Sequence, residues 1–153
     1  MNANRKAFLD MLAHSEGTSK IGKNDGYDVL VGSTTSRMIR IDDLSHHPRI
    51  TVQVRAGLWS SAAGRYQFIW PTWAELQRKL HLPDFGRDAQ DRAALALVED
   101  AGALQMVDKG EISDAINACS RIWASLPGAG YGQHENDMAS LVSVYQQRGG
   151  HLA

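Results

Sequence analysis

One cysteine, Cys119, stands in a chain of 153 residues, which excludes an internal disulfide and, with no second thiol at ligand spacing, a cysteine-built zinc site. Its setting, INACSRIW, is an apolar helical stretch in which a free cysteine acts as a small core residue. An excess of charge of one sign is also missing. Sixteen basic residues against 17 acidic ones leave a formal net charge of −1, so no global field draws the chain to nucleic acid or to an anionic membrane. No apolar run approaches the ~18 to 20 residues that a membrane-crossing helix needs. The opening stretch MNANRKAFLDMLAHSEG is broken by Arg5, Lys6, Asp10 and His14 and offers no A-x-A site. A soluble chain made in the cytosol is therefore expected. HExxH spacing, a G-x-S-x-G elbow and a convincing Ser/His/Asp set are absent. His46 and His47 adjoin each other near Asp42 and Asp43, but neighbouring side chains of an extended segment diverge, so neither a metal nor another cofactor is expected.

What is present suffices for one domain. Hydrophobic residues make up 43% of the chain, enough for a core at this length. Phe8, Leu9, Met11 and Leu12 recur at helical spacing, and Gly17 supplies a stop. Between Ile21 and Ser61, YDVLVG, SRMIRI and ITVQV predict three short strands. Beyond them the spacing predicts helices near 64–69, over PTWAELQRKL with Pro71 in the first turn, over RDAQDRAALALVEDAG to Gly102, around 103–107 and 112–123, and from about 135 to 148. A helix, a small antiparallel sheet, then several helices make an α+β domain. A cleft between the two lobes is expected, with Glu16 at its lip.

Glu16, in LAHSEGTSK, is the first chemical candidate. A carboxyl at the negative end of a helix and partly desolvated has its charged form penalised twice, and both effects raise its pKa. Such a group still carries a proton near neutral pH and can protonate a leaving oxygen. The competing reading is an exposed glutamate without a role. SSAAGRYQFIWPTW brings Tyr66, Gln67, Trp70 and Trp73 next to Gly64, and these offer amide and aromatic surfaces of the kind that sugar rings stack on. Core packing is the competing account for Trp70 and Trp73. PGAGYGQ, 127–133, has three glycines around Tyr131, which can carry positive φ and present the ring to a ligand, or can be a helix-to-helix turn. It is not a phosphate loop, because no Lys-Ser/Thr follows it.

Four co-linear blocks, RKAFLDMLAHSEGT, GYDVLVG, AGRYQ and SRIWASLPGAGYGQ, resemble the lambdoid-phage endolysins, a family of lysozyme-like lytic transglycosylases. The resemblance runs from about Asn4 to Gly150. It departs at His14, between Thr18 and Asn24, and from Ser33 to Trp59. It implies a single lysozyme-like domain over 1–153, with a β lobe at about 18–61 and a helical lobe made of 1–17 and 62–150. It also implies cleavage of the β-1,4 bond between N-acetylmuramic acid and N-acetylglucosamine, leaving 1,6-anhydro ends. The family's catalytic glutamate falls on Glu16, its cleft aspartate on Asp28, its R-Y-Q glutamine on Gln67 and its G-Y-G tyrosine on Tyr131. Tyr66 and Trp73 join these as substrate-binding candidates. A monomer acting on peptidoglycan glycan strands is expected. It would be held in the host cytoplasm until a holin opens the inner membrane. The rivals are a hydrolytic muramidase using Glu16 and Asp28, and a non-catalytic glycan-binding module.

Overall fold

The computed structural model describes residues 1–132 and 134–153; Gln133, the end of the glycine-rich stretch, lies outside the described residues. Among these are six α-helices and one two-stranded antiparallel sheet, so the architecture is α+β. The chain divides into two compact units. One comprises Met1–Glu16 and Ala94–Ala153, the other Gly17–Ala93. Besides the sheet, the second unit takes in the turn and the helix that follow it.

The first unit is helical. α1 (Ala3–Glu16) buries Phe8, Leu9, Met11 and Leu12, the positions that the spacing singled out, and packs on α4 (Leu104–Lys109) and α6 (Met138–Gln147). α5 (Ile112–Cys119) adds Ile112, Ala115, Ile116 and the buried Cys119. Burial pushes that thiol up to about 12, which leaves it a core residue and not a nucleophile. α6 begins later than its apolar pattern suggests. Asp137 is its N-cap and accepts from the Ser140 amide at 2.9 Å, which fixes the start at Met138. Arg5 ties α1 to α4 through two 2.7 Å bonds to Asp108.

The second unit holds β1 (Val52–Arg55) and β2 (Leu58–Ser60), then α2 (Trp70–Leu80), with Pro71 in its first turn, and the first half of α3 (Arg87–Asp100). Only the third expected strand forms part of a ladder. YDVLVG and SRMIRI meet at one isolated bridge, Val29 with Arg40. Beyond it the Ser33 hydroxyl takes the Ile39 N–H at 2.9 Å and donates to the Leu30 carbonyl at 2.7 Å. A side chain thus replaces the next rung and ends the pairing. The helix expected near 64–69 is a turn instead. Gly64 and Gln67 take φ of +82° and +53°, and Ala63 pairs with Phe68 across it; left-handed residues interrupt a helix.

Candidate active site

Glu16 is the last residue of α1, and Gly17, with φ +79°, turns the chain away. The carboxyl is half-buried, and burial pushes it up to about 7, opposed by a hydrogen bond from the Ser125 side chain. The helix end contributes less than the sequence suggested. Asn136 Nδ2 donates to the Ser15 carbonyl at 3.1 Å, satisfying one of the orphan acceptors that make a helix C-terminus negative. Desolvation is what remains to hold the proton.

Around this carboxyl lies a set of polar groups that no spacing rule announces. The Ser15 and Ser125 hydroxyls are 2.8 Å apart. Asn136 Nδ2 reaches Ser15 Oγ at 3.1 Å, and the Asn136 amide donates to the Ser125 carbonyl at 2.8 Å. In the same unit Tyr131 is 53% exposed, and its hydroxyl donates to the Arg121 carbonyl at 2.7 Å. Glu135 accepts from the amides of Gly128 and Gly130. These bonds pull the carboxyl down and clip the glycine-rich loop shut on itself.

The remaining candidates belong to the second unit. Asp28 is 3% exposed; Oδ2 accepts from Arg40 Nε at 2.9 Å, while the buried Oδ1 has no partner among the described residues. Gln67 is half-buried, with Nε2 donating to the Gly64 carbonyl at 2.9 Å.

Tyr66 and Trp73 correct the sequence reading. Both are fully buried. Trp73 stacks edge-on against Phe85, with centroids 4.6 Å apart, and packs on Phe68. The Tyr66 hydroxyl donates to Asp91 at 2.6 Å. A ring with no exposed surface offers a sugar nothing, so both are core, which was the competing account for Trp73. His47 is likewise committed: Nε2 donates to the Phe68 carbonyl at 2.8 Å, and Nδ1 accepts from the Arg49 amide at 3.0 Å. Among the described residues no cluster of three His, Cys, Asp or Glu side chains is placed to hold a metal ion. No described helix is long and apolar enough to cross a membrane.

The recognised blocks have a structural logic of their own. Thr18 donates to the Arg65 carbonyl and packs where a Cβ on Gly26 would sit. Arg65 Nε donates to the Asp25 carbonyl at 2.8 Å, and its guanidinium lies over the rings of Tyr27 and Tyr66. Thr18, GYD and GRYQ are therefore three pieces of one packed and hydrogen-bonded cluster within the second unit.

The Endolysin family profile matches residues 6–152. The chain belongs to the Endolysin family. It is 46% identical over 153 residues to the endolysin of Escherichia phage lambda, covering 98% of this chain and 94% of that protein. To the endolysin of Escherichia phage P2 it is 45% identical over 154 residues, covering 96% and 93%. Among solved structures, bacteriophage lambda lysozyme complexed with a chitohexasaccharide superposes with a TM-score of 0.94 at 46% identity, over 100% of this endolysin and 98% of that chain. A second solved structure, of lysozyme from bacteriophage lambda, gives 0.90 at 44%, again over 100% and 98%. The α+β fold of this family member is therefore lysozyme-like.

Proposed function

We propose that this endolysin is a peptidoglycan lytic transglycosylase. It cleaves the β-1,4 bond between N-acetylmuramic acid and N-acetylglucosamine and leaves 1,6-anhydromuramic acid ends. The observation that carries the reading is a single half-buried carboxyl, Glu16, pushed up to about 7. Such a group is protonated often enough to be an acid and ionised often enough to be a base. Glu16 first gives its proton to the leaving glycosidic oxygen. As the carboxylate it then takes the proton of the muramic 6-hydroxyl, whose oxygen closes on the anomeric carbon. One residue serves both steps, and the nucleophile arrives already bound as part of the substrate. A lysozyme of this fold bound to a chitohexasaccharide supports a β-1,4-linked amino sugar as the ligand class.

Hydrolysis is the second reading, favoured by Asp28, a buried carboxylate with one oxygen unpartnered among the described residues. A water-activating mechanism needs such a second carboxylate. Mass analysis of muropeptides released by the purified protein separates the two. Anhydro ends lacking one water are expected, whereas reducing ends would establish hydrolysis. Glu16→Gln is expected to lose essentially all clearing of a peptidoglycan suspension, by at least about a thousandfold if acid and base roles are both lost; near-normal clearing would remove Glu16 from the mechanism. Asp28→Asn is expected to cost less, because Asp28 orients substrate. Host-cell lysis then depends on a holin to admit the protein, accumulated in the cytoplasm, to the wall. Lysis on expression without a holin would contradict that dependence.

A further inference from the structure

Glu135 lies outside the four recognised blocks, yet its carboxylate anchors the loop that carries Tyr131. That loop begins and ends at one rung, the Asn136 amide donating to the Ser125 carbonyl at 2.8 Å. Asn136 Nδ2 donates in turn to the Ser15 carbonyl at 3.1 Å, which fixes the rung to the last turn of α1. Glu135 stands next to the rung and reaches back across the loop. Gly128 (φ +80°) and Gly130 (φ +75°) take left-handed backbone. Their amides donate to its two oxygens, Gly128 to Oε1 at 2.8 Å and Gly130 to Oε2 at 3.1 Å. Turn amides that converge on one carboxylate make an anion nest, and bonds to a charged acceptor are stronger than neutral ones. Tyr131 follows directly. Its hydroxyl donates to the Arg121 carbonyl at 2.7 Å, while the residue is 53% exposed. With that proton spent, what the side chain offers a ligand is its ring.

We propose that Glu135 is the positioning residue of Tyr131: its carboxylate, bonded through both oxygens to the glycine amides on either side of Ala129, sets the loop so that the ring is a fixed platform for the face of an amino sugar. The inference rests on the reading of Tyr131 as a substrate-binding residue of a wall-cleaving enzyme, and it deepens that reading. Glycines at 128, 130 and 132 would otherwise leave Tyr131 on a freely rotating backbone. A platform already ordered binds without the entropy cost of arresting such a loop. The charged neighbours leave the task to Glu135. Asp137 is spent on the Ser140 amide at the start of α6, and His134 is exposed. The amides, Gly130 foremost and then Gly128, hold the Glu135 carboxyl below its usual 4.5 against desolvation, so the clip is charged and closed near neutrality.

The test combines amide NMR with binding and turnover by the purified protein. In the parent, the Gly128 and Gly130 amide protons should titrate together, with a midpoint below that of a free glutamate; in Glu135→Gln, which no longer ionises, that step should vanish. On soluble peptidoglycan strands Glu135→Ala should raise KM roughly tenfold and leave kcat within about twofold, because the lost bonds order the platform and do not touch the reacting atoms. Kd for a chitohexasaccharide, followed by NMR titration, should rise in the same proportion. Glu135→Gln, which keeps one accepting oxygen, should fall between parent and Glu135→Ala, and it carries the test if Glu135→Ala does not fold. Tyr131→Ala should reproduce the rise in KM, and adding Glu135→Ala to it should cost little more, as two residues acting through one contact do. Unchanged KM and Kd in Tyr131→Ala would refute the reading of Tyr131, and the proposal with it. A clear Tyr131→Ala effect beside unchanged KM and Kd in Glu135→Ala, with only the melting temperature lowered, would reduce Glu135 to a structural role and overturn the proposal alone. The binding arm does not depend on whether the products carry anhydro or reducing ends, so its outcome stands apart from that of the proposed reaction.

Discussion

At the scale of the residue, Glu16 has opposite values for folding and for chemistry. Its folded-state pKa of about 7 stands above the ordinary 4.5, so the folded chain holds the proton more tightly than the unfolded one. The stability linked to that proton is fully present below about pH 4.5 and is lost as pH rises through 7. Glu16→Gln should therefore melt at a higher temperature than the parent at pH 8, by a free-energy difference on the order of 1–3 kcal/mol. The two should converge at pH 4; parallel thermal melts at those pH values check it. The position of this glutamate at a helix end was legible from apolar spacing and Gly17. The reason for its unusual proton was only half legible, because Asn136 and Ser125 come from 109 or more residues away in the chain, and no local pattern relates them to it. Tyr66 and Trp73 were misread for the same cause. An aromatic residue beside a glycine looks alike in a binding site and in a core until its neighbours in space are known.

Among the elements, the turn between β2 and α2 departs furthest from its periodicity. Apolar spacing from Gly64 to Ile69 imitates a helix, yet Gly64 has φ +82°, and a Cβ there would collide with Gln90 Oε1 and the Phe85 ring. Gly64→Ala should cost about 2–4 kcal/mol, combining left-handed strain with a displaced buried amide. Chemical denaturation is expected to show it as a lower midpoint. The corresponding change at Gly128, which has nothing within 4 Å of the added Cβ, should cost only the backbone strain of a positive φ, about 1–2 kcal/mol. Helices α1, α2, α5 and α6 were legible because their buried residues recur three or four apart, and α2 added Pro71 as a start signal. The first two strands were not, because a serine hydroxyl can impersonate a rung and propensity carries no record of it.

For the whole molecule, folding sums contributions that titrate in one window with opposite sign. His47 is held neutral, its pKa lowered chiefly by burial, so the stability it contributes is present above its unfolded value of about 6.5 and is lost as pH falls through the folded one. Glu16 gains over that same descent. The parent should consequently show a shallow dependence of melting temperature between pH 7 and 5. Glu16→Gln should show a steeper loss on acidification, because the compensating carboxyl is gone; a flat profile in that variant would deny His47 its part. The net charge of −1 gives no long-range field that would obscure the comparison. Kinship with the phage endolysins was legible in four blocks, and the buried Gln90, outside all of them, ties two of those blocks together. That amide donates to the carbonyls of Tyr27 and Phe85 at 3.0 and 2.7 Å and accepts from the Arg65 amide at 2.9 Å. Gln90 stands where any side chain on Gly64 would have to go. The two residues form one fitted pair, so a side chain added at the glycine must dislodge an amide that holds three separate backbone segments together.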